Sequence, residues 1–281
     1  MSVFSMIMAA GIIITGLVAG FLSGLFGVGG GFILVPVLNI LFGLPYNIVI
    51  GSSLASIAVI SLFGMARHHK QSHINFRLGL LLLAGTIPGV EIGARILVMI
   101  KNRGIMDTAL NISFLVMFIT ALVIMLFEYL KWVKGEKSSC DLDAYKLGFH
   151  CFEKNPGLDN SVNISYLIAC GFLIGVLQGL LGVGGGFLLI PVLVNFFCLP
   201  ARLVIGTSLF VISPSSALGA VSHYFKGNID FMLVALILAG SVIGTTFGSA
   251  FTAKLKGKKI RLYFICLIAL AALLMGIKII S

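Results

Sequence analysis

The chain has 281 residues, of which 59% are hydrophobic and 10% are charged, and its formal net charge is +10. A soluble domain carries about 25% charged residues, so this composition excludes a soluble globular enzyme. The abundance of Leu, Ile, Val and Phe also excludes a disordered chain. An integral membrane protein remains. In such a protein the excess of Lys and Arg indicates cytoplasmic-side anchors, and no nucleic-acid partner is needed to explain it.

Ten apolar segments follow one another along the chain, and most reach the roughly 20 residues that a helix needs to cross the hydrocarbon layer. The first lacks the basic flank of a cleavable signal peptide and is interpreted as a retained span. The second segment of each group of five has only 13 residues, follows three glycines and contains a proline. We expect these two to be short or tilted spans, broken helices or re-entrant pieces. The segments are residues 4–26, 31–43, 47–66, 77–99 and 108–130, then 163–182, 186–198, 202–221, 230–252 and 262–280.

The two groups of five segments form an internal duplication. Residues 16–96 align without a gap with residues 171–251, and 36 of these 81 positions are identical. Such self-similarity predicts two structural units of the same kind. The chain is therefore predicted to be an all-α polytopic membrane protein with a first transmembrane repeat (1–130), a polar linker (131–162) and a second transmembrane repeat (163–281).

The distribution of Lys and Arg predicts how the repeats are oriented. If all ten segments cross the membrane, 14 of the 19 basic residues fall on one side and four on the other, with Arg95 inside a segment. If the two short segments are instead re-entrant, eight basic residues fall on the inside and ten on the outside. Because cytoplasmic loops are enriched in Lys and Arg, we favour two inverted repeats in the cytoplasmic (inner) cell membrane with both termini outside.

Each short segment begins at a glycine-rich stretch, which we call the first glycine element (Gly27–Gly31) and the second glycine element (Gly182–Gly186). Glycine-broken segments at matching places of two inverted repeats point to a transporter binding site. A helix that starts there leaves N–H groups without partners, and these donors and the helix dipole favour an anion. The substrate-binding candidates are Gly29, Gly30, Gly31, Gly184, Gly185 and Gly186.

The alternative for these triple glycines is that they only let helices pack closely. Before each element, glycines recur at every fourth residue, and we interpret these as helix-packing residues. They are Gly16, Gly20, Gly24, Gly171, Gly175 and Gly179. A nucleotide-binding loop is excluded, because no Lys-Ser/Thr pair follows and the flanking sequence is apolar.

The paired stretches GLFGVGGGFILVPVL and GLLGVGGGFLLIPVL, with the duplicated layout and the length, resemble the TauE/SafE family of membrane permeases, also called the sulfite exporter or 4-toluene sulfonate uptake permease family. The resemblance covers both repeats, and the motif occurs twice in register. It implies transport of small sulfur-containing anions such as sulfite, sulfonates or sulfoacetate across the cytoplasmic membrane. Members differ in substrate and direction, so both stay open for this chain.

Five polar residues near the glycine elements are further substrate-binding candidates: Ser52, Ser53, Thr207, Ser208 and Gln178. The four hydroxyl residues occupy equivalent places in the two repeats, and hydroxyls suit sulfonate oxygens without adding charge. Gln178 lies one helical turn before the second element, where the first repeat has Ser23. The alternatives are that the hydroxyls bond carbonyls of their own helix and that Gln178 joins two helices.

Four residues are candidates for a proton relay or for gating: His68, His223, Ser213 and Pro214. The two histidines match across the repeats, and a histidine titrates near neutral pH; the alternative is an interfacial histidine. The stretch Ser213–Ser216 is expected to interrupt its helix in the second repeat only, although this asymmetry is also compatible with drift.

Two further pairs of polar residues have local interpretations. Asn75 and Asp230 occupy equivalent places at the starts of the fourth segments, where each is expected to cap a helix N-terminus. Glu91 and Arg95 are four residues apart near the end of a span, so they are expected to form an ion pair. A substrate contact is the alternative for this second pair.

An intramembrane enzyme needs a nucleophile or a metal cluster inside its spans, and the apolar segments contain no His-Glu-x-x-His, no Gly-x-Ser-x-Gly and no paired carboxylates. We therefore expect no enzyme activity, no cofactor and no metal site. Cys140 and Cys151 lie in the polar linker, where a disulfide stays open if the linker faces an oxidising compartment. Together with His150 they have no standard metal-ligand spacing.

The sequence thus predicts a secondary transporter of small sulfur-containing anions that works by alternating access between two inverted repeats. Export is favoured, because an inside-negative potential assists the outward movement of an anion. The partners are the small anionic substrate and the lipid bilayer, and a homo-oligomer stays open. The alternatives are an anion channel that uses the same site and a membrane scaffold that uses the linker.

Overall fold

The computed structural model describes residues 3–71, 73–133, 164–195, 201–252 and 257–280. Within these ranges the chain forms ten helices and no strand. Eight of them, all except α2 and α7, are long and apolar enough to cross a membrane, which confirms the predicted all-α membrane protein. The helices are α1 (Val3–Phe26), α2 (Gly31–Phe42), α3 (Tyr46–Lys70), α4 (Phe76–Asn102), α5 (Met106–Val133), α6 (Ile164–Leu181), α7 (Gly186–Asn195), α8 (Ala201–Phe225), α9 (Phe231–Thr252) and α10 (Gly257–Ile280).

The two short segments are helices that begin directly after the triple glycines. Helix α2 has 12 residues, and α7 is described over 10 residues. At about 1.5 Å per residue, the 12 residues of α2 measure about 18 Å, shorter than a hydrocarbon layer of about 30 Å, as expected for a short span or a broken helix. Helix α5 continues to Val133, three residues beyond the predicted end of its segment. Cys140, His150 and Cys151 lie outside the described residues.

Both predicted N-caps are confirmed. The side chain of Asn75 accepts a hydrogen bond from the backbone N–H of Leu78 at 3.1 Å at the start of α4. The carboxylate of Asp230 accepts from the N–H groups of Met232 and Leu233 at 2.9 and 3.1 Å at the start of α9. Each cap satisfies donors that the first turn of a helix leaves without a partner.

Helix α8 corrects one prediction, because it runs without a break from Ala201 to Phe225. The expected interruption at Ser213–Ser216 is therefore wrong. Proline removes one donor from a helix, but side-chain hydroxyls and neighbouring helices can satisfy the carbonyls that this frees. Pro214 frees the carbonyl of Phe210, four residues earlier, and the loss of this one bond does not interrupt the helix.

Helix α1 packs against α9, and α6 packs against α4, through glycines that allow very close approach. A Cβ atom at Gly16 or Gly20 would lie 2.4 or 2.2 Å from the carbonyl oxygen of Ile237 or Ser241. The residue numbers rise together along both helices, so α1 and α9 run parallel. The glycines Gly171, Gly175 and Gly179 make the corresponding contacts with Leu82, Thr86 and Val90. These six glycines are thus packing residues, as the sequence predicts.

Helices α3 and α8 form the centre of the protein and are the most buried of the eight spans. Gly64 near the end of α3 faces Leu209 near the start of α8, and Gly219 near the end of α8 faces Leu54. The residue numbers run in opposite directions, so these two helices are antiparallel. The central pair therefore holds the glycine elements between it and the outer helices.

Candidate functional site

The two glycine elements are buried, and their backbone has a conformation that favours glycine. Gly29, Gly30, Gly184 and Gly185 have φ values of +84°, +78°, +81° and +75°. This left-handed region is disfavoured for residues with a Cβ atom. The backbone turns sharply between α1 and α2, and again between α6 and α7, because glycine is present at these positions.

The two elements contact each other at the centre of the protein. A Cβ atom at Gly31 would lie 2.6 Å from the carbonyl oxygen of Gly182, and one at Gly186 would lie 2.7 Å from the carbonyl oxygen of Gly27. The next residues of the two short helices, Phe32 and Phe187, stack with their ring centroids 5.0 Å apart. All six glycines named as candidates are therefore brought into one region.

Two isoleucines from the central helix pair cover this region. A Cβ atom at Gly29 would lie 3.0 Å from the side chain of Ile57 and 3.1 Å from that of Ile212. A Cβ atom at Gly184 would meet the same two side chains at 3.0 and 3.5 Å. The backbone of the two elements is thus closed off by apolar side chains in this structure.

The starts of α2 and α7 supply the polar groups of this region. Ile33 and Leu34 donate their N–H groups to the carbonyl oxygen of Gly30, and Leu189 donates to that of Gly185. The N–H groups ahead of these belong to the first helical turn, which has no acceptor of its own. Among the described residues no Asp, Glu, Lys or Arg side chain is fully buried. The polar groups of this region are therefore backbone N–H and carbonyl groups and uncharged side chains.

The four hydroxyl candidates have different partners. Ser208 donates to the carbonyl oxygen of Gly27 at 2.8 Å and so contacts the first element. Ser52 accepts from the N–H of Asp230, and Thr207 accepts from the N–H of Asn75, both at 3.0 Å. Through these bonds Ser52 positions the N-cap residue of α9, and Thr207 positions that of α4. Ser53 is fully buried, and no partner for its hydroxyl is found in the described part of the chain. A ligand contact by any of the four stays a prediction.

Gln178 lies beside the second element, and its partners were missed from the sequence. Its Nε2 atom donates to the hydroxyl oxygens of Ser215 and Ser216 at 3.0 and 2.9 Å. Its Oε1 atom would lie 2.9 Å from a Cβ atom at Gly185. The only signal in the sequence was the Ser-Pro-Ser-Ser stretch, which we interpreted as a helix break and not as a polar face.

The four gating candidates are split between two places. His68 and His223 are fully buried, with His68 Nε2 3.4 Å from the carbonyl oxygen of Gly24 and His223 beside the backbone of Gly179. They lie away from the centre, each against the helix that leads into a glycine element. Ser213 lies at the centre, where its hydroxyl donates to the carbonyl oxygen of Ala58 at 3.2 Å, and Pro214 follows it in α8. A role for these four in proton relay or gating stays a prediction.

The predicted ion pair between Glu91 and Arg95 is confirmed, with 2.9 Å between the carboxylate oxygen and the guanidinium nitrogen. Both side chains are largely exposed, and Glu91 borders a separate cavity of about 410 Å³ between α4 and α8. Within the ranges that the structure describes, no group of His, Cys, Asp and Glu residues could hold a metal ion.

In the described ranges, eight helices long and apolar enough to cross a membrane surround the two glycine elements, which defines a multi-pass integral membrane protein of the transporter type. A model of the family described as "Sulfite exporter TauE/SafE" matches residues 12–275. The chain therefore belongs to the TauE/SafE family, as its glycine motifs suggest.

Relatives in bacteria and archaea have similar lengths. The chain is 28% identical to the probable membrane transporter protein YunE of Bacillus subtilis, over 89% of this chain and 90% of that protein. It is 31% identical to YjnA of the same organism, over 86% and 89% of the two chains. It is also 26% identical to MJ0441 of Methanocaldococcus jannaschii, over 94% of each. All three are named probable membrane transporter proteins. No solved structure matches the chain.

Proposed function

We propose that this membrane transporter is a secondary carrier that exports small sulfur-containing oxyanions such as sulfite or organosulfonates. The observation that carries the proposal is the convergence of the two glycine elements, which brings the N-termini of α2 and α7 to one buried, uncharged place. An oxyanion has several acceptor oxygens and suits such a cluster of donors. The family description, which names sulfite export, supports the substrate class.

Alternating access between two inverted repeats is the mechanism we propose for this carrier. Contacts between the two halves occur in pairs that the 155-residue offset relates, such as Gly27 against Ile205 and Gly182 against Ile50. The equivalent helices α3 and α8 run antiparallel, as expected for repeats related by a two-fold axis in the membrane plane. Rocking of one repeat against the other would expose the glycine elements to each side in turn.

Ile57 and Ile212 cover both elements, so these side chains would have to move before an anion could reach the glycine backbone from either side. No nucleotide-binding motif occurs in the sequence, so the energy would come from an ion gradient or from the membrane potential. Outward movement of one negative charge gains about 2.3 kcal/mol per 100 mV of inside-negative potential.

Flux through the purified protein in liposomes tests the proposal directly. We expect saturable transport of labelled sulfite or an organosulfonate, with chloride and protein-free liposomes as controls. Absence of saturable flux for every sulfur oxyanion contradicts the substrate assignment. Unitary currents in a planar bilayer would instead favour the channel.

The orientation of the repeats is tested by labelling single cysteines in a cysteine-free background. Inverted repeats place residue 103 on the outside together with both termini, and they place the linker on the inside. We therefore expect an impermeant maleimide to label Arg103→Cys in intact cells but not Lys146→Cys. Labelling of both variants from outside contradicts the proposed orientation.

A further inference from the structure

The two glycine elements have matching backbones but different neighbours. Helix α1 places Ala19 beside Gly30, with Ser23 one turn further along, whereas α6 places both Ile174 and Gln178 beside Gly185. Helix α3 carries Ile60 and Ser61 at the positions where α8 carries Ser215 and Ser216. The two places therefore differ in side-chain size and in hydrogen bonding.

At the second element the polar groups are satisfied by the protein itself. The carboxamide of Gln178 lies against Gly185, with its Oε1 atom on the glycine side and its Nε2 atom bonded to two serine hydroxyls. The hydroxyl of Ser215 also donates back to Oε1 at 3.2 Å. A neutral carbonyl oxygen thus lies beside the N-terminus of α7, where an oxygen of an anion would otherwise bind.

At the first element the corresponding hydroxyls have no partner among the described residues. Ser23 and Ser61 are fully buried, and neither hydroxyl forms a hydrogen bond there. A buried hydroxyl without a partner costs about 1–3 kcal/mol. Ser23 and Ser61 occupy the positions equivalent to Gln178 and Ser216, whose side chains are 2.9 Å apart beside the second element, so both hydroxyls are placed beside the first element.

Both hydroxyls are positioned to face the first element. Ser23 lies one helical turn after Ala19, whose carbonyl oxygen would be 2.9 Å from a Cβ atom at Gly30. Ser61 lies one turn after Ile57, whose side chain covers Gly29 and Gly31. Residues four apart lie on the same face of a helix, so each serine is on the helix face that covers the glycines.

We propose that the first glycine element, together with the hydroxyls of Ser23 and Ser61, is the single oxyanion subsite of this chain. The carboxamide of Gln178 occupies the equivalent place at the second element and keeps it closed to the substrate. This assignment rests on the proposed transport of sulfur oxyanions and specifies the place in the chain where the oxyanion group binds. One anion then binds per chain, in the first repeat, although the sequence of the two motifs is nearly the same.

Sulfite binding to the full-length protein in detergent tests this subsite, with the shift in melting temperature as the readout. A hydrogen bond to a charged group contributes enough that losing one weakens binding about tenfold or more. We expect this loss for Ser23→Ala and for Ser61→Ala, with little effect on folding because neither hydroxyl has a partner to lose. Ser241→Ala is the matched control, since it removes another fully buried, unpartnered hydroxyl, at the contact between α1 and α9. It should bind sulfite as the parent protein does.

A reciprocal pair of variants locates the subsite. Ser23→Gln introduces at the first element the same carboxamide that Gln178 provides at the second, and it should abolish sulfite binding. Gln178→Ala should leave the half-saturating sulfite concentration within about twofold of the parent value. The subsite assignment is overturned if both serine variants bind like the parent, or if Gln178→Ala weakens binding as much as they do. If the parent protein neither binds nor transports any sulfur oxyanion, the proposed function fails, and the subsite fails with it.

Discussion

The hydroxyl of Ser213 donates to the carbonyl oxygen of Ala58 at 3.2 Å, and these two residues are equivalent positions of the two halves, 155 residues apart. If the proposed two-fold axis relates the two halves, equivalent residues can touch only close to that axis. The contact therefore marks the centre of the protein, between α3 and α8. Ile57 and Ile212 lie next to it and cover both glycine elements.

Ser213→Ala removes the hydrogen bond at this centre. A side-chain hydrogen bond between membrane helices contributes about 0.6 kcal/mol, so we expect a melting temperature within a few degrees of the parent. Transport should change more than stability if α3 and α8 move against each other during the cycle. Initial rates of sulfite flux in liposomes check this, with Ser113→Ala as the control, because that hydroxyl only bonds the carbonyl of Ala109 in its own helix.

Gly30→Ala is expected to destabilise the protein strongly. Its φ of +78° is unfavourable for alanine by about 1–2 kcal/mol, and the new Cβ atom would lie 2.9 Å from the carbonyl oxygen of Ala19. Gly43→Ala is the matched control, since its φ is +64° but no atom lies within 4 Å. The yield of monodisperse protein and its melting temperature should fall much further for Gly30→Ala. Equal losses would show that backbone strain alone matters and that packing around the element does not.

Gly20→Ala and Gly175→Ala should separate tightly packed helix pairs. A Cβ atom would lie 2.2 Å from the carbonyl oxygen of Ser241 in the first case and 2.4 Å from that of Thr86 in the second. Backbone atoms cannot yield as side chains do, so we expect loss of folded protein. Gly276→Ala in α10 is the control, because nothing lies within 4 Å of its Cβ position. Alanine is favoured over glycine within a helix by about 0.5–1 kcal/mol, so this variant should be as stable as the parent or more so.

Thr207→Val and Ser52→Ala test the hydrogen bonds that reach from one half to the helix starts of the other. Each removes the acceptor of a partly buried backbone N–H, that of Asn75 or of Asp230. We expect each variant to lose about 1–3 kcal/mol of stability, measured by thermal unfolding in detergent. If these hydroxyls also bind the substrate, the half-saturating sulfite concentration should rise as well. A fall in stability without that rise would restrict both residues to a structural role.

Much of the site could be predicted from the sequence, because its chemistry is local. A triple glycine before a short apolar segment predicts a left-handed turn and a helix N-terminus, whatever the rest of the chain does. The N-caps at Asn75 and Asp230 were predictable for the same reason, since a cap bonds residues two or three positions away. The partners of Gln178 were not, because they lie 37 and 38 residues further along the chain.

The sequence by itself determined that this is a membrane protein, where its apolar segments lie and that it is duplicated. Hydrophobic length and residue identity decide these features without reference to other parts of the chain. Only the tertiary structure decided that the two glycine elements touch and that α8 continues through Pro214. It also decided that the side chain of Gln178 is hydrogen-bonded, while that of Ser23 has no partner in the described part of the chain. Those outcomes depend on which helices pack together and on which polar groups each contact buries. Both depend on residues far apart in the chain, so no single position determines them.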